Sequence, residues 1–286
     1  MSALPVVANP RSGSAPTAER LTELFRNAGA EAVVHLSLDG LDELVRKRPP
    51  VIVAAGGDGT VNTVASALVG TDTALAVLPM GTLNHFARDL GVPDDPAAAV
   101  EIAVRGKRRA VDVGEVNGRV FVNNASIGLY PAIVRHREKQ QRTLGRSKWH
   151  AMLWAVLTVL RGHSFMQLTL ELDGVVHRRR TPFVFVGNNE YQMEGFTIGL
   201  REHLDAGTLS VYVTHRSGRL GLLLLALRAL FGRLQQASDF ESARVAELRI
   251  ESRHTRLLLA TDGEVAAVDM PLVFRTRPRA LQVMAP

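Results

Sequence analysis

The sequence predicts an α/β domain built on an open parallel sheet, followed by a second, mainly antiparallel domain. Three observations predict this. The N-terminal part alternates short apolar runs with helical patterns. After about Arg109 the pattern becomes closely spaced strand-like runs, several joined by Asn-Gly or Asp-Gly. The chain has 286 residues, about two domains at roughly 150 residues each.

Pro5–Ala8 opens as a strand. Leu21, Leu24, Phe25 and Ala28 then recur at the spacing of one helical face, and Gly29 stops that helix. Ala32–Leu36 is a second strand, followed by a short helix near Leu41–Arg46. Val51–Ala55 is short and wholly apolar, as a strand buried on both faces must be. Thr60 is placed to cap a helix over Val61–Leu68. Ala74–Leu78 is a fourth strand, and Asn84–Leu90 is helical.

The second part predicts strands over Ala110–Val116, Val120–Ala125, Gln167–Leu172, Val175–Arg180, Phe183–Gly187, Thr208–Thr214, Arg244–Ser252, Leu257–Ala260 and Leu272–Thr276. Asn117-Gly118, Asp173-Gly174 and Asp262-Gly263 read as hairpin turns, because both residues tolerate positive φ. Helical insertions are expected at about 148–161 and 219–235. The domain boundaries expected are 1–125 and 126–276, with 277–286 a C-terminal strand returning to the first domain.

Composition narrows the chemistry. With no cysteine there is no disulfide framework, thiolate nucleophile or Cys-ligated metal. The nine histidines show no metal-ligand spacing, and no GxSxG supports a serine hydrolase. The net charge of +6 favours anionic partners. Aromatic residues are only 5%, and neither an RNP-like motif nor a helix-turn-helix is present, so nucleic acid is not expected. Trp149–Leu160 and Leu220–Phe231 fall short of the ~20 apolar residues of a membrane-spanning helix. The N-terminus lacks the pattern of a secretory signal, so a cytoplasmic protein is expected.

The chemistry-bearing segments are two glycine turns. Val51–Ala55 leads into Gly56-Gly57-Asp58-Gly59-Thr60 and then a helix. Glycines let a phosphate approach the backbone, and the helix offers free N–H groups. Asp58 would repel that phosphate unless a cation lies between them, which implies magnesium. The pattern is neither GxxxxGK[ST] nor GxGxxG, disfavouring an ordinary P-loop and a dinucleotide fingerprint. Leu78-Pro79-Met80-Gly81-Thr82-Leu83-Asn84 repeats the logic after the next strand, so both turns lie at the carboxyl edge of one sheet.

These residues resemble a known family. GGDGTVN followed by LPMGTLNHFARDLGVP is similar to the diacylglycerol kinase catalytic domain family, which includes sphingosine kinases and bacterial lipid kinases. Asn9-Pro10-Arg11-Ser12-Gly13 resembles its first loop. Phe121-Val122-Asn123-Asn124 with Ile127-Gly128 resembles the start of its second domain. Gly187–Tyr191, Leu204–Val211 and Asp262-Gly263-Glu264 resemble later blocks, in family order over about 5–284.

The resemblance implies a phosphofructokinase-like N-terminal domain, a β-sandwich C-terminal domain and an ATP cleft between them. It implies transfer of the ATP γ-phosphate to a lipid hydroxyl, diacylglycerol or a related lipid alcohol, with ATP and Mg2+ as cofactors. Asn9, Ser37, Gly56, Gly57, Asp58, Gly59, Thr60, Asn62, Gly81, Thr82 and Asn84 are the ATP-binding candidates. Glu264 is the candidate general base, with Asp58 its rival. Thr63 and His85 depart from the family pattern. So do Ala206 and Ser210, which replace acids of a loop that holds magnesium in some relatives and leave Asp205 as the metal candidate. A kinase of a soluble substrate such as NAD, or an inactive nucleotide-binding relative, are the alternatives.

A lipid kinase must reach a bilayer. The 149–161 stretch carries aromatic and basic residues at helical spacing, as an interfacial helix would. Basic groups at Arg135–Lys139, Arg142–Lys148 and Arg178–Arg180 suit anionic headgroups. The expected partners are a lipid substrate at a membrane surface, through transient association, and a second copy in a homodimer.

Overall fold

The computed structural model describes residues 3–8, 17–128, 165–191, 193–194, 197–198, 201–214 and 240–286. The first unit runs β1 (Leu4–Ala8), α1 (Ala18–Asn27), β2 (Ala32–His35), α2 (Leu41–Arg46), β3 (Val51–Gly56), α3 (Asp58–Leu68), β4 (Ala74–Pro79), α4 (His85–Asp89) and α5 (Pro96–Arg105). Its four strands are parallel in the order β2-β1-β3-β4. β3 and β4 are buried at every position, so both faces of the sheet are covered. α1 packs on α5 and α2 on α3.

Local chemistry sets most of the helix ends. Thr17 Oγ1 accepts the Arg20 N–H to start α1, and Gly29 leaves it at φ +78°. Asp95 Oδ2 accepts the Ala98 N–H, with Pro96 in the first helical position, to start α5. The sequence reading left this helix unassigned despite that signal. α3 begins at Asp58, not after Thr60. Gly57 is its N-cap, so Thr60 lies inside the first turn and is buried.

The second unit comprises β5 (Lys107–Val116), β6 (Arg119–Phe121), β7 (Asn124–Gly128), β8 (Met166–Leu172), β9 (Val175–Thr181), β10 (Phe183–Asn188), β11 (Met193–Glu194), β12 (Thr197–Ile198), β13 (Leu209–Thr214), β14 (Phe240–Val245), β15 (Glu247–Ser252), β16 (Arg256–Thr261), β17 (Glu264–Asp269) and β18 (Leu272–Ala285). One antiparallel sheet has the order β14-β13-β10-β7-β16-β17. The first sheet continues past β4 as β18-β15-β8-β9. Leu168, Leu170, Leu248, Ile250, Leu272 and Phe274 of that extension share a core with Ile127, Val184, Val186, Val211 and Leu259 of the other sheet, making the sandwich.

The three expected hairpins all form. Asn117-Gly118, Asp173-Gly174 and Asp262-Gly263 each have positive φ at both residues, the type I′ condition. Two runs read as single strands are each broken. Val122 and Asn123 leave the ladder between β6 and β7. Arg244–Ser252 changes sheets at Ala246, whose N–H is taken by the Asp173 carboxylate. β17 was missed, and the strands expected over Leu272–Thr276 and 277–286 are one continuous strand, β18, ending at Ala285.

That last strand joins the two halves. Leu272–Arg275 pair with β15, while Val283 pairs in parallel with Leu75 of β4. Along its opposite edge β18 pairs with β5 from Phe274 to Ala285, with an irregularity between Arg277 and Leu281. The expected insertions at 148–161 and 219–235, Asn9, and the basic groups 135–139 and 142–148 lie outside the described residues.

Candidate active site

The carboxyl ends of β1, β2, β3 and β4 lie along one sheet edge, with Val7 beside His35, Ala8 beside Ala55 and Gly56 beside Pro79. The chain order reverses between β1 and β3, the switch point where open α/β sheets bind ligands. The structure therefore brings Ser37, Gly56–Asn62 and Gly81–Asn84 to one edge. Ser37 is the outlier, following edge strand β2 two strands from β3. Its Oγ donates to Asp39 Oδ2 at 2.7 Å and accepts the Asp39 N–H, closing an exposed turn.

The glycines of both turns serve close approach rather than positive φ. Gly56, Gly57, Gly59 and Gly81 all have ordinary φ. A Cβ on Gly81 would stand 2.6 Å from Gly57 Cα, and one on Gly57 would stand 3.3 Å from Gly81 Cα. The two turns thus pack backbone to backbone. The Met80 N–H donates to Gly56 O at 3.0 Å and ties them together. Asn84, in the left-handed region at φ 49°, accepts the Gly81 N–H on Oδ1 and donates from Nδ2 to Gly81 O. Its buried amide closes the second turn, whereas Thr82 and Leu83 are exposed at its tip.

Gly59 faces the other half of the molecule. A Cβ there would stand 3.8 Å from Glu264 Oε1. Folding therefore sets the Glu264 carboxylate against Gly59, in the first turn of α3. Glu264 is exposed, opens β17 and follows the Asp262-Gly263 turn.

Asp262 fixes that turn. One carboxylate oxygen accepts the Val122 N–H at 2.8 Å, and the other accepts those of Asn123 and Asn124 at 2.8 and 3.0 Å. Its own N–H donates to Asn124 O. Burial pushes this carboxyl up to about 6, against the opposing pull of the three N–H donors and Arg201. The Asp-Gly hairpin signal pointed to the turn, but nothing in it showed that the aspartate clamps a distant segment.

Arg201 was also missed. Its guanidinium is wholly buried and pairs with Asp89 at 2.7 Å. It also donates to Val122 O, Asn188 O and Asn123 Oδ1, and faces the rings of Phe86 and Tyr191. The helix after the second glycine turn is thereby tied to the segment that Asp262 holds.

Asp205, the metal candidate, is exposed and pairs with Arg109 at 3.4 Å. Ser210 Oγ donates to Asn189 O at 2.6 Å. The buried carboxylate of this region is Asp112, which accepts the N–H groups of Gly207 and Arg279. Among the described residues no group of three His, Asp or Glu side chains could hold a metal.

These features fit a nucleotide triphosphate. The first N–H groups of α3 have no partner within the helix, and Gly59 leaves open backbone in front of them. Asn62 adds a buried Oδ1 with no hydrogen-bond partner. A nucleotide-borne magnesium takes most of its ligands from phosphate and water, so it needs only one or two protein carboxylates. Asp58, in the first turn of α3, is the carboxylate nearest in the chain to these N–H groups.

Both halves of the chain match known protein families. Residues 3–116 match the diacylglycerol kinase catalytic domain, and residues 123–285 match the YegS C-terminal NAD kinase beta sandwich-like domain. A probable lipid kinase YegS-like protein of Klebsiella pneumoniae is 33% identical over 49% of this chain and 50% of its own length. A Bacillus subtilis diacylglycerol kinase is 32% identical over 59% of each chain. The matched region thus spans only half to three-fifths of those two relatives. A Staphylococcus aureus diacylglycerol kinase is 27% identical over 98% of this chain and 91% of its own. Two solved structures share the fold. A putative diacylglycerol kinase from Bacillus anthracis has TM-score 0.77 at 22% identity, covering 99% of this chain and 97% of its own. Yeast NADH kinase has TM-score 0.53 at 12%, covering 99% and 84%.

Proposed function

Because the chain belongs to the family that joins a diacylglycerol kinase catalytic domain to a YegS-type β-sandwich, we propose that it is an ATP-dependent lipid kinase acting on diacylglycerol or a related lipid alcohol. One observation carries this reading beyond family membership. The Glu264 carboxylate stands against Gly59, at the helix terminus where a triphosphate would lie.

Phosphoryl transfer is mainly positioning and charge stabilisation. The two glycine turns hold the triphosphate with backbone N–H groups and the positive end of α3. Thr82, exposed at the tip of the second turn, faces the nucleotide. Asp58 would hold magnesium, which when bound would supply charge neutralisation on the phosphates. The lipid oxygen attacks the γ-phosphorus, forming a new O–P bond as the bond to the ADP oxygen breaks. Glu264 takes the hydroxyl proton. Asp262 keeps the Glu264 turn in register with 122–124. The substrate is reached by transient membrane association. No helix among the described residues is long and apolar enough to cross a bilayer.

The test is transfer of labelled γ-phosphate from ATP and magnesium to diacylglycerol, monoacylglycerol, ceramide or sphingosine in neutral micelles. NAD serves as the soluble acceptor, since the fold is shared with an NADH kinase. Glu264→Gln is expected to lower kcat by about 10²- to 10⁴-fold with nucleotide binding unchanged. Labelling of NAD and of no lipid would replace this reading with a soluble-substrate kinase.

A further inference from the structure

The outer face of the β8–β9–β15 region carries a second charged concavity that the transfer chemistry does not use. Its volume is about 620 Å³, and Arg178, Arg180 and Arg253 line it with Gln167, Thr169 and Glu251. Register explains its make-up. Alternate residues of a strand share a face, and the inward set Leu168, Leu170 and Ile250 is buried in the sandwich core. The outward set forms cross-strand rows: Val176–Glu171–Arg249, Arg178–Thr169–Glu251, and Arg180–Gln167 continued by Arg253 just past β15.

Charge is uneven across these rows. Glu251 is taken by Arg249 at 3.1 Å, and Arg179, on the opposite face, is taken by Glu241 at 2.7 Å. Arg178, Arg180 and Arg253 are exposed and have no carboxylate partner among the described residues. The last row thus carries arginines from the two outer strands, with the Gln167 amide of β8 on the strand between them. Guanidinium forks match phosphate oxygens.

The same edge strand is apolar at its other end. Val175 and Val176 are 59% and 60% exposed beside the Asp173-Gly174 turn, and Val176 shares the face of Arg178 and Arg180. An exposed valine beside arginines with no carboxylate partner matches a bilayer surface, where apolar groups enter the headgroup boundary and cations meet phosphates. Single-stranded nucleic acid would call for open aromatic faces. No aromatic ring lines this groove among the described residues, and the Phe165 ring beside it is covered by the Arg180 guanidinium, 5.0 Å from the ring centre.

We propose that this face of the β-sandwich docks the protein on anionic phospholipid, with Arg178, Arg180 and Arg253 binding headgroup phosphates and Val176 entering the interface. The proposal rests on the lipid-kinase reading for its purpose, but its test does not. Co-sedimentation with phosphatidylglycerol–phosphatidylcholine vesicles is compared for the unaltered chain and the triple variant Arg178→Gln, Arg180→Gln, Arg253→Gln. All three side chains are exposed, and circular dichroism checks that the fold is kept. The unaltered chain is expected to bind mixed vesicles, to release them as salt rises, and to leave pure phosphatidylcholine unbound. Each arginine contributes about fivefold, so the triple variant should lose about a hundredfold in affinity.

Equal vesicle binding by the variant, or binding indifferent to phosphatidylglycerol, overturns the proposal. So does release of the vesicles by an equimolar single-stranded oligonucleotide at fixed ionic strength, which would assign the groove to nucleic acid. Turnover in neutral micelles separates the two readings. Arginine-dependent vesicle binding without phosphate transfer to any lipid keeps the docking face and removes the lipid-kinase function. Transfer to lipid with unchanged variant binding does the reverse.

Discussion

At the scale of single residues, the glycines of the two turns have separable duties. Gly81 lies so close to Gly57 that a methyl group must push the turns apart. Gly59→Ala adds its methyl only at ordinary contact distance from Glu264 Oε1, in a helix where alanine is favoured. Gly81→Ala is therefore expected to lower both stability and activity. Gly59→Ala should keep or raise the melting temperature while reducing turnover by crowding the space before α3. Thermal melts and transfer assays on the two variants check this. Asp262 predicts a pH dependence. Its folded-state carboxyl titrates at about 6, above the ordinary 3.8. Between these values the folded state binds more protons than the unfolded chain, so this group's contribution to stability falls as pH rises from about 4 to about 6 and is level above. Asp262→Asn removes that slope. It also turns an amide N–H₂ toward at least one of the three backbone N–H donors, at a cost of about 1–3 kcal/mol. Urea melts at pH 4.5 and pH 7 measure both effects.

At the scale of elements, the working parts are short segments held by buried polar side chains. α4 is only five residues long and makes little hydrogen bonding of its own. It is fixed by Asp89 to Arg201, which also grips Val122, Asn123 and Asn188. Breaking a buried pair from one side leaves an uncompensated charge and costs about 3–5 kcal/mol. Arg201→Met and Asp89→Asn should each destabilise by that order, and the double variant by less than their sum. A double-mutant cycle in urea checks it. The hairpins were legible because Asn-Gly and Asp-Gly state their own geometry. The parallel strands were legible because strands buried on both faces read as continuous apolar runs. The break at Ala246 was not, since Arg244–Ser252 keeps strand-like residues through the change of sheet. Only the Asp173 carboxylate, from another hairpin, shows why the ladder ends there.

At the scale of the whole molecule, β18 makes the two halves mechanically one. Its last residues sit between β4 and β5, and its first residues pair with β15 in the sandwich. Leu281 and Val283 are fully buried in the first core, while Leu272 and Phe274 belong to the second. Leu281→Ala is expected to cost about 2–5 kcal/mol. It should shift the melting of the entire chain and leave no separate sandwich transition. Calorimetry that resolves two transitions, with only one displaced, would contradict this coupling.

The sequence by itself determined the local grammar: the parallel α/β unit, the antiparallel second unit, the hairpin turns and two glycine turns on one sheet edge. Each follows from periodicity, capping or backbone freedom within a few residues. Tertiary structure decided what those pieces face. It set Glu264 against Gly59, used Asp262 and Arg201 to hold the segment between the halves, and gave Asp205 an arginine partner. It also exposed the unpaired arginines of β9 beside Arg253. Such contacts join positions far apart in the chain, and their strength comes from burial and from buried hydrogen bonds, which no local pattern records.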